Sequence, residues 1–185
     1  MKVGIVSDTH GCFARWNLAY EQYLRATDLI IHAGDVLYHG PRNPLLADYN
    51  PGKLAESINR SAVPMVMVRG NCDSEVDAMV LEFPLIERYG YAVVDGLKIA
   101  VTHGHLIETE VEKLAFAKQL RADVLVTGHT HVASITKKSG VILLNPGSPS
   151  LTKRSDRRST LAIIEDKYVN IIDIDTGEVV ESVSR

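Results

Sequence analysis

Five apolar runs stop, one after another, on an Asp, Asn or His that stands beside a glycine or inside a glycine-containing turn. In the first half, Lys2 to Ser7 reads as a buried strand ending on Asp8-Thr9-His10-Gly11, Leu29 to Ala33 ends on Gly34-Asp35, and Val63 to Val68 ends on Gly70-Asn71. Helical patterns from about Phe13 to Arg25 and from about Gly52 to Arg60 separate these runs. Strands that alternate with helices pair in parallel through right-handed crossovers, so their carboxyl ends fall on one edge of a sheet. Ligands bind at that edge in open α/β sheets, where loops leave a rigid scaffold.

The second half changes rhythm. Short strands are expected at Leu85 to Tyr89, Ala92 to Val94 and Lys98 to Thr102, joined as hairpins by turns such as Asp95-Gly96. The last of them runs into His103-Gly104-His105. A helix from about Glu110 to Arg121 precedes a strand from Asp123 to Thr127 that ends on Gly128-His129-Thr130-His131. Further strands are expected at Ala133 to Thr136, Val141 to Leu144, Leu161 to Glu165 and Val169 to Ile174. No repeat, low-complexity tract or linker interrupts the chain, and a domain of this size can bury roughly 70 % of its unfolded surface in one core. The expectation is one α/β domain over residues 1–185, made of two packed sheets flanked by helices.

Composition narrows the function. Apolar residues at 45 % and charged residues at 23 % exclude a disordered chain. A net charge of -3 supplies no field to hold a nucleic-acid backbone, so stable nucleic-acid binding is not expected. No run approaches the roughly 20 apolar residues of a membrane span, and Met1 leads into a strand without an apolar segment of signal-peptide length. The two cysteines, Cys12 and Cys72, cannot build a disulfide framework, and the expected compartment is the cytoplasm.

Seven side chains at the strand ends are candidate metal ligands: Asp8, His10, Asp35, Asn71, His103, His129 and His131. Residues two apart in extended backbone project from one face, so Asp8 can converge with His10 and His129 with His131. Carboxylate, imidazole and amide oxygens together can surround two cations that share one carboxylate, and Asp35 is the natural bridge. His32, inside a strand, reads as a satisfied core histidine. Each motif alone has a bland reading, Asp8-Thr9-His10 as a helix cap and Gly128-His129-Thr130-His131 as an ordinary turn; the clustering of histidines favours metal.

The ordered segments Asp8-Thr9-His10, Gly34-Asp35, Gly70-Asn71, His103-Gly104-His105 and Gly128-His129-Thr130-His131 resemble the calcineurin-like metallophosphoesterase superfamily. Within it, Gly70-Asn71-Cys72-Asp73, His39-Gly40-Pro41-Arg42-Asn43 and Asn145-Pro146-Gly147-Ser148 are similar to the small bacterial YfcE-type phosphodiesterases. The resemblance implies a four-layer αββα sandwich of two mixed sheets, a binuclear centre usually supplied with manganese, and a homodimer or homotetramer. It implies one cation on Asp8, His10, Asp35 and His131, and another on Asp35, Asn71, His103 and His129. A nitrogen and oxygen donor set without thiolate suits Mn²⁺, with Fe, Ni²⁺, Zn²⁺ or Mg²⁺ as alternatives.

The expected activity is metal-dependent hydrolysis of a small phosphodiester by a hydroxide bridging the two cations. Asn71 and His105 are expected catalytic donors to the phosphate. Asn71, His39, Arg42 and Cys72 are expected to bind substrate; for His39 and Arg42 a solvated loop is the alternative. Cys72 stands where many superfamily members carry a histidine that protonates the leaving group, which favours leaving groups already stable as anions. The run Lys153 to Arg158 reads as a solvated connection, with a phosphate clamp as the alternative, and Asn145 to Ser148 as turn chemistry that shapes the site from behind. Rival functions are a phosphomonoesterase or nuclease on the same centre, or a protein-binding scaffold like the retromer subunit that shares this fold.

Overall fold

Side chains that alternate along a strand bury two cores at once, and the central strands here do so. The computed structural model describes residues 1–185. In chain order the elements are β1 (Lys2–Val6), α1 (Phe13–Ala19) continuing as a π-helical turn over Tyr20–Leu24, β2 (Leu29–His32), α2 (Pro51–Asn59), β3 (Met65–Val68) and α3 (Glu75–Val80). There follow β4 (Leu85–Ile86), β5 (Gly90–Val94), β6 (Leu97–Val101), α4 (Glu110–Gln119), β7 (Val124–Val126), β8 (Ser134–Lys138), β9 (Val141–Asn145), β10 (Thr160–Glu165), β11 (Tyr168–Asp173) and β12 (Val179–Ser184). No helix is long and apolar enough to cross a membrane.

The strands form a seven-stranded sheet in the order β12-β11-β10-β1-β2-β3-β4 and a five-stranded sheet in the order β5-β6-β7-β9-β8. β1 to β4 run parallel, as do β6, β7 and β9, while β1 pairs antiparallel with β10. Both sheets are therefore mixed. Val3, Ile5, Ile31 and Val68 of the first sheet share a buried cluster with Ile99, Val124, Val126 and Leu144 of the second. On the outer face of the first sheet, Ile30 and Met67 pack with Trp16, Leu24, Leu54 and Ile58 of the first two helical segments. On the outer face of the second, Leu125 and Leu143 meet Ala117 of α4. The layers run helix, sheet, sheet, helix, the αββα sandwich. Gly4 lets the π-helical turn approach β1: a Cβ there would lie 2.5 Å from Leu24 Cδ2.

Three elements depart from expectation. The segment from Leu85 to Tyr89 keeps only a two-residue strand, which pairs in parallel with β3, so the sole hairpin of the expected three-strand series is β5–β6. Arg88 adopts φ 62°, and Thr102 Oγ1 donates to its carbonyl at 2.7 Å; this kink carries the chain from one sheet to the other. Helix α3 starts from a capping box, in which Ser74 Oγ accepts from Asp77 N and Asp77 Oδ2 accepts from Ser74 N. Strand β12 closes the far edge against β11, with a register shift at Ile171/Ile172.

Candidate metal centre and its cleft

Parallel strands deliver the candidate donors to one edge of both sheets. Asp8 and His10 follow β1, Asp35 follows β2, Asn71 follows β3, His103 follows β6, and His129 and His131 follow β7. Five of them hold left-handed backbone, with φ 56° at Asp8, 46° at His10, 56° at Asp35, 68° at His129 and 58° at His131. Such conformations cost non-glycine residues roughly 1 to 2 kcal/mol each, and strain of this kind collects at functional sites. Its compensation lies in fixed hydrogen bonds: Asp8 N donates to Gly34 O at 3.0 Å, His10 N to Asp35 O at 3.0 Å, and Ser148 Oγ to Asp8 O at 2.8 Å. Gly70 lets β3 approach the centre, because a Cβ there would stand 2.1 Å from Asp35 Oδ1.

The hydrogen bonds also fix the tautomers. A carbonyl oxygen only accepts, so Nδ1 of His10 donates to Tyr38 O at 2.8 Å, Nδ1 of His131 to Leu151 O at 2.7 Å, and Nδ1 of His103 to Ala33 O at 2.7 Å. In each neutral ring Nε2 then carries a lone pair, and these lone pairs face other acceptors. Nε2 of His10 and Nε2 of His131 stand 3.2 Å apart. Asp8 Oδ1 lies 3.3 Å from His131 Nε2, is fully buried and has no hydrogen-bond partner. His103 Nε2 lies 3.4 Å from Asp35 Oδ2 and 3.1 Å from Asn71 Oδ1, and Asp35 Oδ2 lies 3.6 Å from His10 Nε2.

Titration reflects the same crowding. Burial pushes the Asp8 carboxyl up to about 7, against the pull of the His103 charge. Burial also works to raise Asp35, but its hydrogen bond to His103 and the charge there hold it below the ordinary carboxylate range. His103 is raised to about 9, the hydrogen bond to Asp35 and the charge of Asp8 outweighing burial. Burial pushes His131 down to about 4 and lowers His10. A proton on His103 thus supplies positive charge where acceptors converge.

A divalent cation satisfies such an arrangement better than a proton can. Donor atoms of Asp8, His10 and His131 lie within 4.8 Å of one another, as do those of Asp8, Asp35 and His103. Donors about 2.1 Å from one cation stand roughly 3 to 3.5 Å apart, the spacing of the contacts above. Ligating histidines in metal sites donate their second ring nitrogen to a carbonyl or carboxylate, as all three do here. The residues fit a metal centre. A family model described as the calcineurin-like phosphoesterase superfamily domain matches residues 1–167. The chain belongs to the calcineurin-like phosphoesterase superfamily. Phosphodiesterase YfcE of Escherichia coli strain K12 is 34% identical over 185 residues, which cover 100% of this chain and 98% of that protein. The probable metallophosphoesterase YsnB of Bacillus subtilis strain 168 is 30% identical, covering 90% of this chain and 86% of its own. The solved structure of the Escherichia coli phosphoesterase YfcE superposes with a TM-score of 0.84 at 30% identity, covering 100% and 99% of the two chains. Vps29 of Entamoeba histolytica complexed with zinc, at 20% identity and a TM-score of 0.69 over 100% and 99%, shares the fold.

In this phosphoesterase the centre opens into a cleft of about 830 Å³, whose lining includes Asp35, Asn71, His129 and His131. Arg42 and Cys72 line it too, whereas His39 packs edge-on between Tyr38 and Tyr49 and does not. The His129 ring stands 5.2 Å from that of His103, outside the donor groups that converge within 4.8 Å. His105 lies beyond it, 5.5 Å from His103 between ring centroids, with a buried Nδ1 that has no partner. His32 is a satisfied core histidine: Nε2 meets Thr9 Oγ1 at 3.0 Å, and Nδ1 accepts from Gly34 N. Asn145 donates to Gly128 O at 2.8 Å and Ser148 holds Asp8, so the Asn145 to Ser148 turn supports the phosphoesterase centre from behind.

Asp73 has a role that motif spacing did not reveal. Its buried carboxylate accepts from Asp35 N at 2.8 Å, Val36 N at 2.7 Å and Gly70 N at 2.7 Å, clamping the loops after β2 and β3 together. The signal for it is a carboxylate three residues past a glycine at a strand end, which sequence alone does not separate from a helix cap. The basic run is a solvated connection at Lys153, Ser155 and Arg157, pinned to the fold by two of its arginines. Arg154 bonds Ala133 O, Asp156 and Glu181, Arg158 bonds Glu178, and Lys153 lines the cleft.

Proposed function

We propose that the chain is a phosphodiesterase whose centre holds two divalent cations, manganese foremost. The observation that carries this is the meeting of three imidazoles, each donating from Nδ1 to a carbonyl and turning Nε2 inward, with two carboxylates, one of which leaves a fully buried oxygen unpaired. One cation would be held by Asp8, His10, Asp35 and His131, and the other by Asp35, Asn71, His103 and His129, with Asp35 shared. Two cations in such a centre supply a water acidified to hydroxide near neutral pH and positive charge against the phosphate oxygens.

The protein's own groups orient and restrict that chemistry. Carbonyls of Ala33, Tyr38 and Leu151 hold the imidazoles in the ligating tautomer, so no ring must turn before donors are in place. Asn71, in the cleft lining, and His105, next to His103, would serve as donors to the phosphate. Burial and the Asp35 charge push the Cys72 thiol up to about 12, so it is a poor proton donor to a leaving oxygen. Ester arms that depart as stable anions, aryl oxides among them, are the favoured ones. That the Escherichia coli relative is a phosphodiesterase supports a diester here.

The test is hydrolysis by protein loaded with Mn²⁺, comparing bis(4-nitrophenyl) phosphate, 4-nitrophenyl phosphate and single-stranded DNA, beside an Asp35→Asn variant. The diester should turn over fastest. Asp35→Asn should lose more than the roughly 10- to 100-fold typical of outer-shell partners, because both cations share that carboxylate. Faster cleavage of the monoester or of DNA would overturn the diester assignment, and no turnover with two cations bound would point to a scaffold.

A further inference from the structure

The cleft carries more positive charge than a simple diester uses. Besides the centre's donors, its charged lining consists of Arg42, Lys113 and Lys153 against the single carboxylate of Glu108. None of these three cations has a salt bridge or a side-chain hydrogen bond, a state they share with exposed cations such as Lys98, Lys118 and Arg121; what sets them apart is that they line one cleft. They come from three separate segments: the loop after β2, helix α4 and the loop after β9. Lys153 is tied to the centre, its backbone N donating to His131 O at 3.0 Å.

A phosphodiester linkage brings one negative charge, which must sit at the centre to react. The rim's three cations against the one carboxylate of Glu108 then leave two positive charges in excess within the cleft. A terminal phosphate carries about -1.5 to -2 at neutral pH and matches that excess. The volume agrees, since about 830 Å³ lies in the upper part of the roughly 300 to 1,000 Å³ span of small-molecule sites and exceeds what a minimal diester fills.

We infer that the cleft selects a phosphodiester bearing a terminal phosphate on one ester arm, held by Lys153, Lys113 and Arg42. This rests on the phosphodiesterase function proposed above. The three are specificity-determining groups, acting on binding more than on the chemical step.

The test uses a pair of probes that differ in one group, thymidine 3′-(4-nitrophenyl phosphate) with and without a 5′-phosphate, on protein loaded with Mn²⁺. The phosphorylated probe should show a kcat/KM about tenfold higher, mainly through KM, and the gain should shrink with added salt. Lys153→Gln should cut that preference roughly threefold and Lys153→Arg restore it, while Lys167→Gln, the same charge change far from the cleft, leaves it intact. Calorimetry with the phosphorylated product, thymidine 3′,5′-bisphosphate, should show tighter binding than with thymidine 3′-phosphate, and Lys153→Gln should narrow the gap. Equal kcat/KM for the two probes, or a preference indifferent to Lys153, overturns this inference and leaves the phosphodiesterase function standing. No hydrolysis of either probe with two cations bound overturns both.

Discussion

His103 shows at one residue how the site is poised. Its ring is wholly buried, with one nitrogen committed to Ala33 O and the other aimed at Asp35 and Asn71, so it must carry either a proton or a cation there. The consequence is a pH dependence with a definite sign. The folded value of about 9 lies above the ordinary 6.5, so the stabilisation is complete below about 6.5 and is lost as pH rises through 9. Asp8 acts in the same direction at lower pH: with a folded value of about 7 against 3.8, its ionisation costs stability progressively between those values. His10 and His131, held low, weaken the fold only on the acid side of 6.5. Metal-free protein should therefore lose on the order of 2 kcal/mol, about 5 °C in Tm, between pH 7 and pH 9. Saturating Mn²⁺ should abolish the loss. A Tm of the chelated protein that stays level or rises over that interval would contradict this assignment of charge.

Among elements, the strand ends explain both what could be read beforehand and what could not. The seven candidate donors are legible because each follows an apolar run and most stand by a glycine, a pattern set by chain-local chemistry. Asp73 is not, since its three N–H partners come from two loops that meet only in the fold. Helix α3 escapes notice for a different reason: Val76, Met79 and Val80 are exposed, so it has no buried apolar stripe, and its capping box ends in Asp rather than Glu or Gln. Strand β4 is misplaced into a hairpin because its partner is decided by the kink at Arg88, an arginine with no local turn signal. The clamp itself is testable. Asp73→Ala would strand three buried N–H groups and should cost at least about 3 kcal/mol in urea unfolding. A cost under about 0.5 kcal/mol would show that the two loops hold their positions without it.

At the scale of the molecule, two mixed sheets turn the carboxyl ends of β1, β2, β3, β6 and β7 toward one rim, and that rim holds every candidate ligand. An apolar cluster between the sheets, from Val3 and Ile5 to Val126 and Leu144, holds them together behind that rim. What the architecture provides is rigidity, which lets five donors keep left-handed backbone and three imidazoles keep one tautomer. Two packed sheets flanked by helices and the candidate donor set are readable from strand periodicity and clustered motifs. The left-handed backbone and the cationic lining of the cleft, Lys113 and Lys153 included, appear only when distant loops are brought together. The most direct measurement is anomalous scattering at the manganese edge from crystals grown in excess Mn²⁺. Two peaks should appear on either side of the Asp35 carboxylate, one within bonding distance of Asp8, His10 and His131 and one within bonding distance of Asn71, His103 and His129. Density maps with no anomalous peak within reach of Asp35 would contradict the two-cation centre.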